Sequence, residues 1–380
     1  MKKKVLFDVN GSENWIGGVY YIRNILYQFC CSELLINEYT PVIICSTKFE
    51  KMFREFNDKA EIYVIEEKNK IQRIAVLLKH LFKVRAVYNY HRYKIDPLNL
   101  LRKKAIYWVP DFQECYYPQF FSEKELAARK RRNKSLAEKT SPLILSSNSC
   151  LEDFRKFFSG EKRGKIYVVP FVSAIESEVR ELSEQFCAEV LEKFKLTNRK
   201  YILISNQFWQ HKNHIVVFRA IAQAKKENRL TDVHFVFTGE LKDYRNSEYY
   251  NSLIKIIDDN NINDRLSILG FIDRKEQIAL MHKAEMVLQP SLFEGWGTVV
   301  EDSKVLDKTV ILSDIAVHRE QMNDKCYLFD PEDSESLILS IEKALSEFVP
   351  DDVEKGINNM HNDAARYAET MEKMLMENFI

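Results

Sequence analysis

Residues 266–314 read LSILGFIDRKEQIALMHKAEMVLQPSLFEGWGTVVEDSKVLDKTVILSD, and short apolar runs alternate here with longer amphipathic stretches. The runs LSILGF, EMVLQP and TVILSD have the length and the branched side chains of buried β-strands. The stretches between them, at 274–284 and 298–306, have the apolar spacing of helices. Strands and helices that alternate in this order predict an α/β fold with a doubly wound parallel sheet.

The same alternation runs through the rest of the chain. Further strands are predicted at 5–9, 39–46, 105–112, 142–147, 165–171, 200–205, 233–239 and 326–331, and helices at 17–29, 70–82, 213–227 and 247–259. A length of 380 residues exceeds one ordinary core and fits two domains. We therefore predict two Rossmann-like domains, at 1–175 and 199–352, separated by a linker and helix at 176–198 and followed by a helix at 353–380. Ligands of such sheets bind beyond the carboxyl ends of the strands, so the crevice is expected between the two domains.

Composition excludes several classes of protein. The 56 Lys and Arg balance the 56 Asp and Glu, and no recognition module occurs, so nucleic-acid binding is not expected. The seven cysteines lack metal-ligand or redox spacing, which favours a reducing compartment. No stretch reaches the roughly 20 apolar residues that span a bilayer, and Asp8 interrupts the run after MKKK, which is typical of a first strand and not of a signal peptide. We expect a cytoplasmic protein, at most peripheral on the inner face of the plasma membrane.

Three common cofactor or metal motifs are missing from the sequence. Neither domain has G-x-G-x-x-G after its first strand, which argues against a nicotinamide or flavin dehydrogenase, and no G-x-x-x-x-G-K-[ST] loop occurs. No two aspartates stand two apart, so the metal-chelating Asp-x-Asp of metal-dependent sugar transferases is absent. A phosphorylated ligand would be neutralised by side chains and helix N-termini instead. We therefore predict no cofactor and no metal.

The first candidate site is LISNQFWQHKNH at 203–214, where the first strand of the second domain gives way to a helix. Free backbone N–H groups and the positive end of the helix dipole favour an anion at such a position. Lys212 adds a full positive charge, Asn206 adds a polar contact, and Phe208 and Trp209 are typical of a ligand wall. The alternative is an ordinary strand–helix loop with solvated charges.

The second candidate site is SLFEGWGTVVED at 291–302. Gly295 and Gly297 permit unusual dihedral angles and close backbone approach. Glu294 can accept paired hydrogen bonds from vicinal sugar hydroxyls, and the free N–H groups of Gly297 and Thr298 are expected to hold phosphate. The alternative is a β–α turn with a solvated glutamate. Both candidate sites are expected at equivalent positions on the carboxyl edge of one sheet.

Together these stretches resemble a known family. SNQFWQHKNH, the run from GFIDRKEQ to GTVVED, and ILSDIAVHREQ are similar to the donor-binding half of retaining GT-B glycosyltransferases of the large family-4 type. The likeness runs over roughly 200–335 and extends more weakly to the first half through IGGVYYIRNIL, WVPDFQECYYPQFF and VVPFV. It implies a GT-B fold, in which two Rossmann-like domains face each other across a cleft and a C-terminal helix crosses back to the first domain.

The resemblance also implies roles for individual residues. Lys212 binds the donor diphosphate and stabilises the leaving group, and Glu294 contacts donor-sugar hydroxyls near the reacting carbon. The pair Gly17 and Gly18 lets the first domain approach the donor phosphate and the acceptor, and Asp111 lies in the acceptor-side region. The implied catalytic residues are Glu294, Lys212 and Asp111. The implied donor-binding residues are Gly17, Gly18, Asn206, Lys212, Phe271, Ile272, Glu294, Gly295, Trp296, Gly297, Thr298 and Asp302.

Two positions depart from the family pattern. Many relatives have Arg five residues before the phosphate-binding Lys, where this chain has Gln207, so phosphate binding should rest more heavily on Lys212 and on helix N-termini. Many also have His before the acceptor-side acid, where this chain has Pro110. Two interpretations of Asp111 therefore stay open, an acceptor-side residue or a simple strand-end acid. Backbone groups around 270–272 are expected to contact the base, so side chains there do not distinguish uracil from guanine.

The second acid of the family's Glu–seven residues–Glu motif has two candidates. An ungapped match through DKTVI places Asp302 at that position. On a helical wheel of about 100° per residue, Asp302 falls roughly 50° from the centre of the apolar face and Glu301 roughly 150° away. Thr298 and Glu301 also fit a capping box, in which Glu301 accepts from the N-cap backbone N–H. We therefore assign the donor ribose to Asp302 and the helix cap to Glu301.

Basic residues are concentrated in two segments. The range 68–104 holds eleven Lys or Arg and one acid, Asp96, and RKRRNK follows at 129–134. With tyrosines and leucines interleaved, these segments favour peripheral contact with anionic lipid or with a phosphorylated lipid carrier. The alternative is a solvated charged face.

The predicted function is that of a metal-independent, retaining hexosyltransferase. It would move a sugar from a UDP- or GDP-sugar to a growing, lipid-linked glycan of a cell-surface polysaccharide. Two alternatives stay open: a nucleotide-sugar epimerase or phosphorylase on the same architecture, and a catalytically silent GT-B partner subunit. Lys212 and Glu294 count against a silent subunit, whereas Gln207 and Pro110 count for one.

Overall fold

The computed structural model describes residues 2–9, 17–66, 69–80, 82–88, 102–158, 164–243, 245–246 and 248–379, without the side chains of Lys70 and Arg102. The chain forms two compact units. The first comprises 1–112, 127–174 and 361–380, and the second comprises 113–126 and 175–360. Over the described ranges, no helix is both long and apolar enough to cross a membrane.

The first unit is built on a parallel sheet. Its strands are β1 (Lys3–Val9), β2 (Tyr39–Ser46), β3 (Glu61–Ile65), β4 (Val84–Tyr88), β5 (Ala105–Val109), β6 (Leu143–Leu145) and β7 (Ile166–Val168). They lie in the order β3-β2-β1-β4-β5-β6-β7. The helices along this part of the chain are α1 (Gly17–Cys31), α2 (Glu33–Glu38), α3 (Glu50–Phe53), α4 (Lys70–His80), α5 (Gln113–Tyr116), α6 (Glu123–Ala137) and α7 (Asn148–Phe158).

The strand sequences follow from where each strand lies in this sheet. The interior strand β1 is buried from Lys4 to Val9, and β5, AIYWV, is buried throughout, as expected for a parallel sheet that helices cover on both faces. Two strands were not predicted from the sequence. β3, EIYVI, is partly exposed at the edge of the sheet, and β4, VRAVY, has the exposed Arg85 among its apolar residues.

The second unit has its own parallel sheet. Its strands are β8 (Tyr201–Ser205), β9 (His234–Thr238), β10 (Leu266–Gly270), β11 (Met286–Gln289), β12 (Val310–Ser313) and β13 (Cys326–Phe329), in the order β10-β9-β8-β11-β12-β13. The helices are α8 (Glu176–Arg180), α9 (Glu184–Lys193), α10 (His214–Lys226), α11 (Tyr249–Asp259), α12 (Arg274–Lys283), α13 (Thr298–Val305), α14 (Ala316–Gln321), α15 (Ser334–Ser346) and α16 (Val353–Phe379). The predicted doubly wound parallel α/β architecture is confirmed in both units.

The strand order of the second sheet reverses between β8 and β11. The chain winds outward from β8 through β9 and β10, and then returns past β8 to β11 on its other side. The loops that leave the carboxyl ends of β8 and β11 therefore diverge, and the gap between them is a topological switch point. Both stretches that the sequence singled out, 203–214 and 291–302, leave the sheet at this point.

The segment 113–126 belongs to the second unit, although the predicted first domain included it. Its aromatic side chains pack on residues of the loop after β11. The ring centroids of Tyr116 and Phe293 are 5.6 Å apart, and the Tyr117 hydroxyl donates to the Leu292 carbonyl at 3.4 Å. The Arg245 guanidinium lies 5.2 Å from the centre of the Phe121 ring.

The last helix, α16, contributes to both units, because its residues from His361 onward belong to the first. In the first unit, the Tyr167 hydroxyl donates to Glu377 at 2.5 Å and accepts from the Asn378 amide at 2.8 Å. Ser32 donates a hydrogen bond to Glu372. Apolar residues of the helix are also buried.

Candidate functional site

Hydrogen bonds join the two loops at the switch point of the second sheet. The Leu292 backbone N–H donates to the His211 carbonyl at 2.8 Å. Asn213 has a left-handed backbone, with φ of 56°, and its side-chain amide donates to the carbonyls of Pro290 at 3.1 Å and Pro331 at 2.8 Å. These bonds fix the loop after β8 against the loop after β11, so side chains from both meet in one place.

Lys212 and Glu294 form an ion pair in this place. The Lys212 ammonium lies 2.5 Å from Glu294 Oε1, and the two side chains are 16% and 12% exposed. The Ser291 hydroxyl donates to the same carboxylate oxygen at 2.7 Å. Burial alone would raise the pKa of Glu294, but Lys212 and the hydrogen bonds outweigh burial and hold this pKa below its usual range. The structure thus brings together the two residues that the sequence predicted at separate sites.

Asn206 lies at the end of β8, against Gly239. Its backbone N–H donates to the Thr238 carbonyl at 2.9 Å, and the residue is only 6% exposed. Its side-chain Nδ2 has no hydrogen-bond partner among the described residues. Buried donors without partners are uncommon in folded proteins and indicate an absent water, ion or ligand. Asn206 therefore has a donor free for a ligand at this edge of the sheet.

The turn at Gly297 differs from the prediction. Its backbone N–H donates to Gln321 Oε1 at 2.8 Å, and Gln321 Nε2 donates to the Gly297 carbonyl at 3.1 Å. The expectation of a free N–H at Gly297 is therefore wrong. Gly297, and not Thr298, is the N-cap of α13, and it makes no side-chain cap bond.

The predicted capping box is also wrong. With Gly297 as N-cap, Glu301 occupies the fourth helical position instead of the third. Its carboxylate accepts from Gln321 Nε2 at 2.9 Å and pairs with Lys304 at 2.9 Å. It is 2% exposed, so it does not face away from the packed side of the helix as the helical wheel suggested. Glu301 is nevertheless a structural residue, since it helps Gln321 to hold the turn.

Asp302 is fully buried and engaged by a cation. Its Oδ1 accepts from Arg274 Nη2 at 2.7 Å. Arg274 Nη1 donates to Gln277 Oε1 at 2.9 Å, and Gln277 in turn donates to Ser205 at the end of β8. A ribose hydroxyl that donates to Asp302 would thus bind a carboxylate that already pairs with Arg274. The assignment of Asp302 to the ribose stays a prediction.

The remaining predicted residues of the second unit occupy contrasting environments. Phe271 follows β10 and is 68% exposed, which is high for a large apolar side chain, and Ile272 is half-buried beside it. Trp296 is buried, with Lys304 5.6 Å from the centre of its ring, and Gly295 precedes it in the turn. Phe208 is part of the hydrophobic core of the second unit and stacks on His214, so it does not wall a ligand site.

Three predicted residues belong to the first unit. Gly17 is the first residue of α1 and is exposed, whereas Gly18 is buried. Asp111 follows β5 and is half-buried. The structure does not bring these residues together with the Lys212–Glu294 pair within one unit.

Some of the basic residues predicted at 68–104 make contacts within the first unit. Lys68, Arg92 and Lys94 lie outside the described residues. Arg73 pairs with the buried Asp8 at 3.0 Å, and Lys104 donates to the Val84 carbonyl at 2.5 Å. Among the Lys and Arg side chains of this range that the structure describes, those of Lys79, Lys83, Arg85 and Lys103 are exposed.

Several polar residues around the ion pair were missed by sequence reasoning. Ser313, at the end of β12, donates to the Ser291 carbonyl at 2.5 Å. His318 lies fully buried on α14 next to Ser313, and Gln321 follows one turn later. The stretch ILSDIAVHREQ contributed to the resemblance as a block, but no local spacing distinguishes these side chains from solvated ones.

The fold and the sequence together define the class of protein. The fold is GT-B: the solved structure of HepE from Anabaena in complex with UDP and glucose matches over 99% of this chain and 97% of that one, with a TM-score of 0.65 and 15% identity. Residues 189–369 match the family described as Glycosyl transferases group 1. The resemblance inferred from the sequence is thereby confirmed.

Curated relatives point to the same family. The O-antigen chain mannosyltransferase RfbU of Salmonella typhimurium is 27% identical over 134 residues, which are 35% of this chain and 36% of RfbU. The O-antigen biosynthesis glycosyltransferase WclY of Escherichia coli is 30% identical over 87 residues, which are 23% of this chain and 24% of WclY. The chain thus matches about a third or less of the length of these relatives.

Proposed function

We propose that this protein is a retaining glycosyltransferase that needs no metal and moves a sugar from a nucleoside diphosphate donor to a growing glycan. The observation that carries this proposal is the Lys212–Glu294 pair at the switch point of the second sheet. It puts a cation suited to a diphosphate beside a carboxylate suited to sugar hydroxyls. The family match over 189–369 and the O-antigen glycosyltransferases among the relatives support the proposal.

The proposed chemistry follows from this pair. In the free protein the two charges neutralise each other; in the complex the diphosphate attracts Lys212, and sugar hydroxyls donate to Glu294. As the bond between the anomeric carbon and the diphosphate oxygen breaks, Lys212 stabilises the charge on the leaving diphosphate. The acceptor oxygen bonds to the anomeric carbon on the same face, and its proton passes to a diphosphate oxygen. The anomeric configuration is therefore retained.

The other donor contacts are proposed from the same edge of the sheet. Asn206 offers an unpartnered amide N–H to the donor, and the exposed Phe271 is suited to lie against the base. The N-terminus of α13 at Thr298 favours phosphate through its dipole. With the N–H of Gly297 occupied by Gln321, Lys212 should supply most of the charge compensation.

Ligand-induced thermal stabilisation tests the proposal. Addition of UDP, GDP, UDP-glucose or GDP-mannose should raise the melting temperature with at least one base, since a ligand at about 100 times its Kd stabilises by about 2.7 kcal/mol. The Lys212→Ala variant should lose the response to the nucleoside diphosphates, and Glu294→Gln should lose only the additional response to the sugar. EDTA should leave both responses unchanged.

Lys283→Ala is the matched control for these variants. Lys283 pairs with Glu184 at 2.7 Å on the surface of the same unit, so its removal also breaks an ion pair but leaves the switch point intact. It should respond to donors as the unaltered protein does. If Lys212→Ala and Glu294→Gln respond like this control, the proposed site is wrong.

Turnover distinguishes the alternative functions. An epimerase would convert a nucleotide sugar without any acceptor, and a phosphorylase would require free phosphate. A silent partner subunit would bind donor without releasing nucleoside diphosphate when acceptor is added. Release of UDP or GDP that depends on acceptor, with an unchanged anomeric configuration in the product, is the outcome we expect.

We also propose a lipid-linked acceptor and a cytoplasmic site of action at a membrane surface. The support is the surface of α4 in the first unit. Ile71, Leu78 and Phe82 are 81%, 52% and 89% exposed, and Lys79 and Lys83 are exposed among them. Apolar side chains flanked by cations are typical of segments that bind anionic bilayers.

A further inference from the structure

His318 is a buried histidine whose tautomer can be assigned from its neighbours. Its Nδ1 lies 2.9 Å from the Ser313 carbonyl and 3.1 Å from the Ser313 hydroxyl. The single hydroxyl hydrogen of Ser313 is directed at the Ser291 carbonyl, 2.5 Å away, which can only accept. The Ser313 carbonyl also can only accept. Nδ1 must therefore carry the hydrogen. Nε2 carries none and can only accept a hydrogen bond.

The Nε2 lone pair is buried and unused. His318 has 0% exposure, and Nε2 has no hydrogen-bond partner within the described part of the chain. A buried acceptor without a hydrogen bond destabilises the free protein. Burial lowers the pKa of His318, and Lys212 acts in the same direction against the opposing effect of Glu294. The ring is thus neutral near pH 7, and Nε2 accepts.

The position of His318 ties it to the proposed donor site. Its ring is close enough to Glu294 and Lys212 for their charges to act on it. Separate hydrogen bonds also link these residues in sequence: His318 Nδ1 donates to the Ser313 carbonyl, the Ser313 hydroxyl donates to the Ser291 carbonyl, and the Ser291 hydroxyl donates to the Glu294 carboxylate. The same strand-end residues therefore orient both the imidazole and the carboxylate.

The chemistry of Nε2 determines which kind of group can donate a hydrogen bond to it. A neutral lone pair repels anions, so a phosphate oxygen does not fit there. The ammonium of Lys212 is already paired with Glu294. A hydroxyl is a neutral donor, and the Glu294 carboxylate is an acceptor of hydroxyls as well. Two acceptors that are held by the linked residues Ser313 and Ser291 suit two hydroxyls of one sugar.

We infer that His318 Nε2 accepts a hydrogen bond from a hydroxyl of the donor sugar, next to the hydroxyl that Glu294 binds. This inference rests on the proposed function, because it requires a nucleotide sugar at the Lys212–Glu294 pair. It makes His318 a determinant of which sugar is bound, since a sugar without a hydroxyl at that carbon leaves the lone pair unsatisfied.

The His318→Asn variant tests the inference. The asparagine amide reproduces the Nδ1–H donor toward Ser313 but has no acceptor at the position of Nε2. The variant should bind UDP or GDP as the unaltered protein does, while its Kd for the matching nucleotide sugar rises about tenfold, the loss of one hydrogen bond. His318→Gln, which restores an acceptor near Nε2, should recover part of that loss even if its melting temperature falls.

A measurement on the unaltered protein does not depend on the variants folding. The ¹⁵N resonance of His318 Nε2, assigned by its absence in His318→Asn, should move upfield with the nucleotide sugar and stay in place with the nucleoside diphosphate. An unchanged ratio of the two dissociation constants in His318→Asn, or an unmoved resonance, would overturn the inference while leaving the proposed function intact. Failure of the unaltered protein to bind any of these nucleotides would overturn both.

Discussion

At the scale of a single residue, Gly17 is a glycine that the donor site is predicted to need but that the fold does not. It is the first residue of α1, and a Cβ placed there would meet no described atom within 4 Å. The fold therefore tolerates a side chain, and alanine favours a helix over glycine by up to about 1 kcal/mol. We expect Gly17→Ala to keep or raise the melting temperature and to weaken nucleotide-sugar binding at least about tenfold in calorimetric titrations, because the glycine is predicted to admit donor phosphate.

Gly239→Ala is the contrasting variant. Its φ is +136°, and a Cβ would lie 2.1 Å from the Asn206 carbonyl oxygen, a backbone atom that cannot rotate away. The change should lower the free energy of unfolding by at least about 2 kcal/mol in urea titrations. A stable Gly17→Ala that binds nucleotide sugars normally would show that Gly17 has no part in the donor site.

Sequence reasoning found the charged residues of the site but not the residues that orient them. Lys212 and Glu294 follow strand patterns directly, and the carboxyl edge of a parallel sheet is a known place for a ligand. Gln321 is 24 residues from the Gly297 turn that it holds, and hydrogen bonds link His318 to Glu294 through Ser313 and Ser291. Such contacts depend on the packing of β11 against β12, and no local spacing encodes them.

At the scale of elements, α4 has two apolar faces where an ordinary surface helix has one. Leu77 is buried against the first unit, whereas Ile71, Ala75 and Leu78 form an exposed row that Phe82 extends past the end of the helix. The spacing of this row, i, i+4, i+7 and i+11, keeps it on one side. The sequence from Asn69 to Tyr88 contains no Asp or Glu. The row itself carries no charge, and the charged residues of this segment are all basic, so the row is suited to an apolar partner with an anionic surface.

We expect this row to bind anionic bilayers. Cosedimentation with vesicles of equal parts phosphatidylcholine and phosphatidylglycerol should pellet the protein, and pure phosphatidylcholine should not. Combined replacement of Ile71, Leu78 and Phe82 by Ser should weaken binding at least about tenfold, since each apolar side chain contributes roughly 1 kcal/mol or more on burial. Lys83→Glu should weaken it further and reduce its sensitivity to salt.

Leu339→Ser is the control for that experiment. Leu339 lies on α15 of the second unit and is 53% exposed, about as much as Leu78. Its replacement should leave vesicle binding unchanged. Equal losses in Leu339→Ser and Leu78→Ser would mean that general surface hydrophobicity, and not the row on α4, causes the association.

Most helices and strands were predictable because their apolar patterns continue over many residues and turn residues mark their ends. The exceptions have local causes. β3 is short and half-exposed, and β4 lies within a basic run that masks its alternation. The capping box at Thr298 was wrong because Gly297 already adopts the extended N-cap conformation, which shifts Glu301 by one helical position. The positions of helix ends depend on such single-residue conformations, which sequence patterns do not resolve.

At the scale of the whole molecule, most of the histidines with lowered pKa values among the described residues lie in the second unit, and His80 is the one in the first. Burial lowers the pKa values of five histidines in the second unit: His211, His214, His234, His282 and His318. For His214 the pKa falls to about 3 and for His234 to about 4. In the unfolded chain each takes up a proton near pH 6.5. Between these values the unfolded state binds more protons, so stability rises with pH and is lost as pH falls.

His214 gives this expectation a clean test. Its ring stacks on Phe208 with centroids 4.2 Å apart, and neither ring nitrogen has a hydrogen-bond partner among the residues that the structure describes. Phenylalanine keeps the stack and removes both polar atoms, so His214→Phe should match or exceed the stability of the unaltered protein at pH 7.

The free energy of unfolding, measured by urea titration followed by tryptophan fluorescence, should fall between pH 6.5 and pH 4.5, and His214 and His234 should each contribute up to about 1.4 kcal/mol per pH unit. In His214→Phe the dependence of the free energy of unfolding on pH should be smaller by the contribution of one proton, up to about 1.4 kcal/mol per pH unit. An identical slope in both proteins would mean that His214 is not held neutral by the core of the second unit.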